Sequence, residues 1–341
     1  MTVADNLRRG RPGTYEVWYA TWNDPRTGDG FWLRYVIESH ANAGRAAAPE
    51  AVRSEIEPDY AEVWFARFCA ADPAKTFGVH QRFATATSHD APFEIAIGDS
   101  TLRHDGARGS LRARGHDVTW DLAWQAGDRT LRLFPDLAYR LGIGETTVLS
   151  PNPQVAARGT IVVDGERYEL AGAPLGQTHL WGTRHAYSWA WAHCAFESGE
   201  LLELLAVCLN RGGVMTPPLV MVRFGDHALN QFRHVALNRA SWDAGRVTFT
   251  ARGATVKLEG ELTCAPSQLI VAPYLDPDGT EVFCANTEIG DARIVESRRD
   301  VLGTRWHVHR THTSAGRAHF EAGGRTRFAT VTREHELADA R

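Results

Sequence analysis

The sequence predicts an all-β protein of antiparallel strands with little helix, and three observations carry that prediction. Short segments of alternating apolar and polar residues run from one end of the chain to the other. Gly, Asp, Pro and Asn punctuate them at intervals of roughly 8–12 residues. Helical spacing is confined to two short windows. A sandwich or closed barrel satisfies this pattern, and a βαβ arrangement does not.

Taken in order, "YEVWYATW" (Tyr15 to Trp22) and "FWLRYVIE" (Phe31 to Glu38) flank "NDPRTGDG" and read as a hairpin with a longer loop. Further strands are predicted at Ala61–Cys69, Thr76–Ala84, Leu111–Ala113, Val118–Trp124 and Gly159–Val163. The second half continues with Ala186–Phe196, Leu201–Leu209, Leu219–Phe224, Arg246–Ala251, Thr255–Cys264, Arg293–Arg299, Thr304–Thr311 and Ala318–Arg325. The helical windows are Pro49–Ile56 and Arg333–Asp339.

A chain of 341 residues accommodates two domains. "TVLSPNPQVAARG", between Thr147 and Gly159, brings two prolines, Asn and Ser between strand-like stretches and places the boundary there, giving domains 1–155 and 156–341. An internal echo points to duplication. The first half opens on "EVWYATW" then "FWLRYVIE", and the second has "YSWAWAHCAF" then "LLELLAVCL".

Composition narrows the partners. The 41 acidic and 37 basic residues are mixed along the chain with a net charge of −4, which argues against nucleic acid. The 5 cysteines include no CxxC pair, which argues against a disulfide framework or structural zinc. No signal-like stretch and no run of the ~18–20 apolar residues needed to span a membrane is present, so a cytoplasmic protein, monomeric or homodimeric, is expected.

The strongest candidate for chemistry is the aromatic strand. Period-two alternation puts Tyr187, Trp189, Trp191 and His193 on one face and Ser188, Ala190, Ala192 and Cys194 on the other. Large amphipathic rings opposite small residues suit the wall of a ligand cavity, and a densely packed aromatic core would use the same residues. Upstream, "GQTHLWGTRHAYSW" gathers His179, Trp181, Arg184 and His185 among glycines, offering proton transfer near neutrality and an anchor for a polar group. In the first half Glu16 shares a face with Trp18 and Trp22, where a carboxyl beside indoles could serve as an acid. His307 and His309 share a face at a chelating spacing, with no third ligand in evidence. Phosphate loops, dinucleotide fingerprints and nucleophile elbows are absent, and Cys194 points away from His193.

"EVWYATWNDPRTGDGFWLRY" and "HLWGTRHAYSWAWAHC" resemble the two signature regions of the AttH-like group, which includes carotenoid 1,2-hydratases and tocopherol cyclases and is similar to lipocalin-like Diels–Alderases. The resemblance spans nearly the whole chain. It implies two lipocalin-like β-barrels packed together, a hydrophobic ligand held in or between them, and action on isoprenoid or polyene substrates without metal or organic cofactor. By position it maps the family's tryptophan and histidine loop onto His179, Trp181 and Gly182, with Thr178 where the hydratase-like pattern "DHNWG" carries an acid. The resulting expectation is a cofactor-independent enzyme that cyclises, isomerises or hydrates a hydrophobic small molecule. His179, His185, His193 and Glu16 are its proton-transfer candidates; Trp18, Trp181, Arg184, Tyr187, Trp189 and Trp191 are its binding candidates. A non-catalytic carrier of a lipophilic ligand is the alternative.

Overall fold

The computed structural model describes residues 3–39, 60–300, 303–328, 331 and 336–337. The first sheet is built from β1 (Thr14–Asn23), β2 (Gly30–Ser39), β3 (Tyr60–Phe68), β4 (Phe77–Phe83), β5 (Ala86–Asp90), β6 (Phe93–Ile97), β7 (Ser100–Arg103), β8 (Gly106–Ala113), β9 (His116–Trp124), β10 (Leu131–Arg132), β11 (Thr146–Val163) and β12 (Glu166–Gly182). The second holds β13 (Ser188–Ala195), β14 (Leu201–Cys208), β17 (Leu219–Phe224), β18 (His227–Leu229), β19 (Arg239–Asp243), β20 (Arg246–Arg252), β21 (Val256–Thr263), β22 (Ile270–Leu275), β23 (Glu281–Arg298) and β24 (His307–Gly324); β15 (Asn210–Arg211) and β16 (Val214–Met215) form a small ribbon between β14 and β17. Helices are short: α1 (Val3–Asn6), α2 (Asp136–Leu141) and α3 (Phe232–Val235). None of the helices among the described residues is long and apolar enough to cross a membrane.

The order β4-β3-β2-β1-β12-β11-β9-β8 in the first sheet is repeated as β18-β17-β14-β13-β24-β23-β21-β20 in the second, and a short strand pairs off the path with the same long strand in each, β10 with β11 and β22 with β23. Each sheet curls until its far strands approach one another, β4 near β8 and β17 near β19, giving two barrel-like units. The matching order supports the echo seen in the sequence, since β1 and β2 correspond to β13 and β14.

The expected boundary falls inside β11, and the chain passes from one sheet to the other between Gly182 and Ser188. Pro151 and Pro153 sit where the β11–β12 register shifts, at 149–155, so they occupy bulges of a continuous strand rather than a linker. Thr304–Thr311 and Ala318–Arg325, predicted as separate strands, fall largely within the single strand β24. Its intervening Gly316 has φ of 65° and lies where the β23–β24 register shifts. Pro49–Ile56 lies outside the described residues. Of Arg333–Asp339, predicted as helix, Glu336–Leu337 is described, and it is a short strand, β25, parallel to β4.

Alternation assigns two jobs to each central strand. Trp18, Ala20 and Trp22 of β1 point into the first barrel, whose interior they fill with Phe31, Phe65 and Trp120. Ala190, Ala192 and Cys194 of β13 point into the second, packed by Phe224, Phe249 and Phe320. The opposite faces meet each other: Tyr15, Val17, Trp32 and Trp64 of the first sheet pack with Trp189, Tyr274 and Cys284 of the second. β1 and β13 are therefore buried on both faces.

Close approach of the sheets depends on Gly30, where a Cβ would come within 2.6 Å of the Glu288 carbonyl oxygen. Gly30→Val should therefore push the sheets apart and cost about 1–3 kcal/mol. Urea unfolding monitored by tryptophan fluorescence measures this, and an unchanged midpoint would show that the seam is not tightly packed.

Candidate functional site

Both barrel interiors are packed with their own side chains. Open cavities of about 520 and 550 Å³ lie on the second barrel, and the seam between the sheets holds smaller ones that gather buried rings and polar groups. Two adjoining cavities lie there, of about 100 Å³ and about 220 Å³, and they share Tyr15, Arg34, His185 and Tyr274. The smaller is apolar, walled by Tyr19, Trp189, Trp191, Leu180, Leu205 and Val207, with Glu321 among its lining. The larger opens among charged groups, including Glu38, Glu62, His80 and Arg82.

His185 stands at the junction. Its ring stacks on Tyr15 at 4.4 Å and lies 5.4 Å from Tyr274. Its Nδ1 donates to Asp276 Oδ1 at 2.6 Å, and its backbone N–H donates to the same oxygen at 2.9 Å. Asp276 is fully buried and also pairs with Arg325 at 3.3 Å. The imidazole is thereby fixed in one tautomer, with Nε2 turned away from Asp276.

Glu321 enters from the second sheet, cross-strand to Trp191 on β13 and to Asn286 on β23. Trp189 Nε1–H donates to its Oε1 at 2.7 Å, and the Cys284 thiol donates to its Oε2 at 3.2 Å. The indole can lie over β24 because Gly323 has no Cβ to meet the ring. Tyr19 packs edge-on against Trp191 at 5.6 Å. Burial, reinforced by the carboxyls of Glu321 and Glu203, holds its phenol proton far above the ordinary range, so Tyr19 is a neutral hydroxyl.

Deeper in the seam lies a polar cluster. His193 Nδ1 meets Glu203 Oε1 at 2.7 Å, and its ring lies 5.5 Å from that of His319. His319 ties the two sheets together, since Asn23 uses its amide nitrogen to donate to the Glu288 carbonyl at 2.7 Å and presents its oxygen to His319 Nε2 at 2.7 Å. Nε2 therefore carries the proton, and Nδ1 accepts from the Thr21 hydroxyl at 2.9 Å. Desolvation, then the nearby His193, pushes the His319 pKa well below its ordinary value. Desolvation also raises the Glu288 carboxyl well above its own, so a neutral acid faces a neutral imidazole at 3.1 Å.

Of the residues singled out in the sequence, His185, Trp189 and Trp191 line the cleft, and His193 lies behind it. His179 and Glu16 pair at 2.9 Å elsewhere, inside the end of the first barrel, where His179 Nδ1 donates to the Asp5 carbonyl and Glu16 accepts from the backbone of Arg9 and Gly10. Trp18 stacks on His179 within the barrel core, and Trp181 lies between His179 and Arg9. These residues fasten the N-terminal segment over the barrel. Arg184 pairs with Asp278 at the surface, and Tyr187 is exposed. His307 and His309 are exposed, and no group of three or more metal-ligating side chains occurs among the described residues. Burial pushes the Cys194 thiol up to about 12, so it is inert.

Sequence reasoning passed over Tyr15, Tyr19, Arg34, Tyr274, Asp276 and Glu321. A signal for the first two was present in the odd-numbered face of "YEVWYATW", which is as aromatic as the even-numbered one. Asp276 and Glu321 come from distant strands that only the fold brings together.

The buried cluster sets a pH dependence. An unfolded chain protonates His319 near 6.5 while the folded one does not, so this residue makes stability fall as pH drops through 6.5. Glu288 has the opposite sign, costing stability as pH rises above 4.5. His319→Gln should flatten the change in Tm between pH 7.5 and 5.5, and Glu288→Gln should steepen the acid-side loss. Scanning calorimetry across that range checks both.

Residues 146–324, from β11 through β24, match the sequence model of the tocopherol cyclase-like family. An uncharacterised protein of Mycobacterium tuberculosis, found in two strains, is 25% identical over 346 residues, covering 96% of this chain and 91% of that protein. Among solved structures, an AttH-like protein of Nitrosomonas europaea has a TM-score of 0.51 at 14% identity, over 94% of this chain and 96% of that one. Kievitone hydratase of Nectria haematococca has a TM-score of 0.54 at 10% identity, over 96% of this chain and 93% of that one. These likenesses show the fold expected from the sequence, two lipocalin-like barrels packed together. With the family match extending over half of its length, this chain belongs to the tocopherol cyclase-like family.

Proposed function

We propose that the cleft between the barrels is the active site of a cofactor-independent enzyme that cyclises, hydrates or isomerises a hydrophobic small molecule of isoprenoid, polyene or polyketide type. The observation that carries this reading is an apolar, ring-walled cavity into which two polar groups of fixed orientation project, His185 held by Asp276 and Glu321 held by Trp189 and Cys284. A carrier would be served by the apolar wall alone. The family name and the hydratase among the structural neighbours agree with this class of reaction.

In the proposed step His185, protonated, gives the Nε2 proton to one carbon of a substrate alkene, and the other carbon becomes cationic. Trp189, Trp191 and Tyr19 wall the cavity, and each ring that turns its face to that carbon contributes roughly 0.5–2 kcal/mol of cation–π attraction in a desolvated site. The Glu321 carboxylate adds an opposite charge. A hydroxyl of the same molecule closes a ring, or water adds, and its proton passes to Glu321 and back to His185. His193 and Glu203 support the wall behind Trp191.

His185→Asn and Glu321→Gln should each lower turnover by about 10²–10⁴-fold while leaving binding near its original strength. Incubation of the purified protein with prenylated phenols and linear polyenes, read by mass spectrometry, supplies the assay. His179→Asn is the comparison, expected to lower Tm and leave turnover per folded molecule intact. Loss of turnover in His179→Asn alone would move the chemistry to the barrel end and sink this reading.

A further inference from the structure

The central strand β2 carries an arginine on the face where β1 and β3 present aromatic rings. Arg34 is cross-strand to Tyr19 on one side and to Trp64 on the other. Its guanidinium lies 4.0 Å from the Tyr274 ring centroid, 5.4 Å from Trp64 and 5.7 Å from Trp32. The residue is 5% exposed and lines both cavities at their junction.

Those rings satisfy the faces of the guanidinium and leave its edge. Five N–H donors lie in the plane, always protonated, with a geometry that matches a planar oxyanion. Among the described residues, no carboxylate forms an ion pair with Arg34 and no oxygen takes a hydrogen bond from it. By contrast, the other arginine of the cleft, Arg82, pairs with Glu62 at 2.9 Å. Of the carboxyls that line the two cavities, Glu62 is taken up by Arg82 and the Trp64 indole, Glu321 accepts from the neutral donors Trp189 and Cys284, and neither they nor Glu38 make an ion pair with Arg34. A nearly buried cation with no carboxylate in ion-pair contact is expensive for the fold to keep, and a ligand anion bound at its edge lowers that expense.

We propose that Arg34 is the anchor for a carboxylate on the ligand, so that the substrate class is an amphipathic organic acid whose head lies at the junction and whose apolar body extends toward Trp191 and Leu205. This deepens the assignment of the cleft as the active site and rests on it. The head would sit beside His185, Tyr15 and Tyr274, and the body would carry its reactive bond past Glu321 and Tyr19.

Geranic acid and methyl geranate share one apolar body and differ in the charge of the head. Titration calorimetry should give at least tenfold tighter binding of the acid to the wild-type protein. Arg34→Gln should bring the acid down to the ester's affinity and leave the ester unchanged, and Arg34→Lys should keep part of the preference. Trp191→Ala should weaken both compounds. Without ligand, Arg34→Met should raise Tm, since an unpaired buried charge is removed; that reading remains if a polar variant folds poorly. Equal binding of acid and ester to the wild-type protein, or a preference that survives Arg34→Gln, overturns the anchor while leaving the cleft in place. Binding of both compounds that ignores Trp191→Ala and Arg34→Gln alike overturns the cleft as well.

Discussion

The structure depends on the requirement that β1, β2, β13 and the last stretch of β24, residues 318–324, be buried on both faces. Each barrel is filled from inside by one set of alternating side chains. The other set, with Tyr15, Trp32, Trp64, Trp189 and Trp191, has too much ring surface to leave in water, and it is buried by setting one sheet against the other. The seam is thus a packing surface shared by the two units, and it gathers rings and polar groups from both sheets.

Polar groups in that seam follow from the same requirement. A hydrogen-bonding side chain trapped between two sheets must find a partner across the gap. Asn23, Thr21 and His319 do so and fix the register of one barrel on the other. His185 reaches Asp276 in the same way, from the segment that joins the sheets to a turn after β22. Glu321 and Arg34 differ in that their partners are fewer or only aromatic, and both face the cavities.

The repeated strand order explains why the site is asymmetric although the architecture is duplicated. Equivalent strands β1 and β13 meet at the seam, but the first contributes tyrosines and the second tryptophans and a histidine. β2 brings an arginine to the cleft, and β14 brings leucine and valine. The first sheet therefore brings the cation and the second brings the Glu321 carboxyl beside an apolar stretch of Trp191, Leu205 and Val207, so the two ends of the cleft are unlike.

By itself, the sequence determined the strand periodicity, the all-β class, the pairing of the two hairpins that begin each half, and the size contrast across Tyr187 to His193, because these depend on alternation along one strand. It also carried the resemblance to the family. It did not reveal that Pro151 and Pro153 lie in bulges, since a proline at a bulge and a proline in a linker look alike until the partner strand is known. Nor could it distinguish Trp18 and His179, which fill a barrel, from Trp189 and His185, which line a cleft, since periodicity says that two faces differ but not which one faces a neighbouring sheet. That choice, and the meeting of Arg34, His185, Asp276 and Glu321, was decided by tertiary structure, through contacts between residues up to hundreds of positions apart whose only common property is that two curved sheets place them at the same seam.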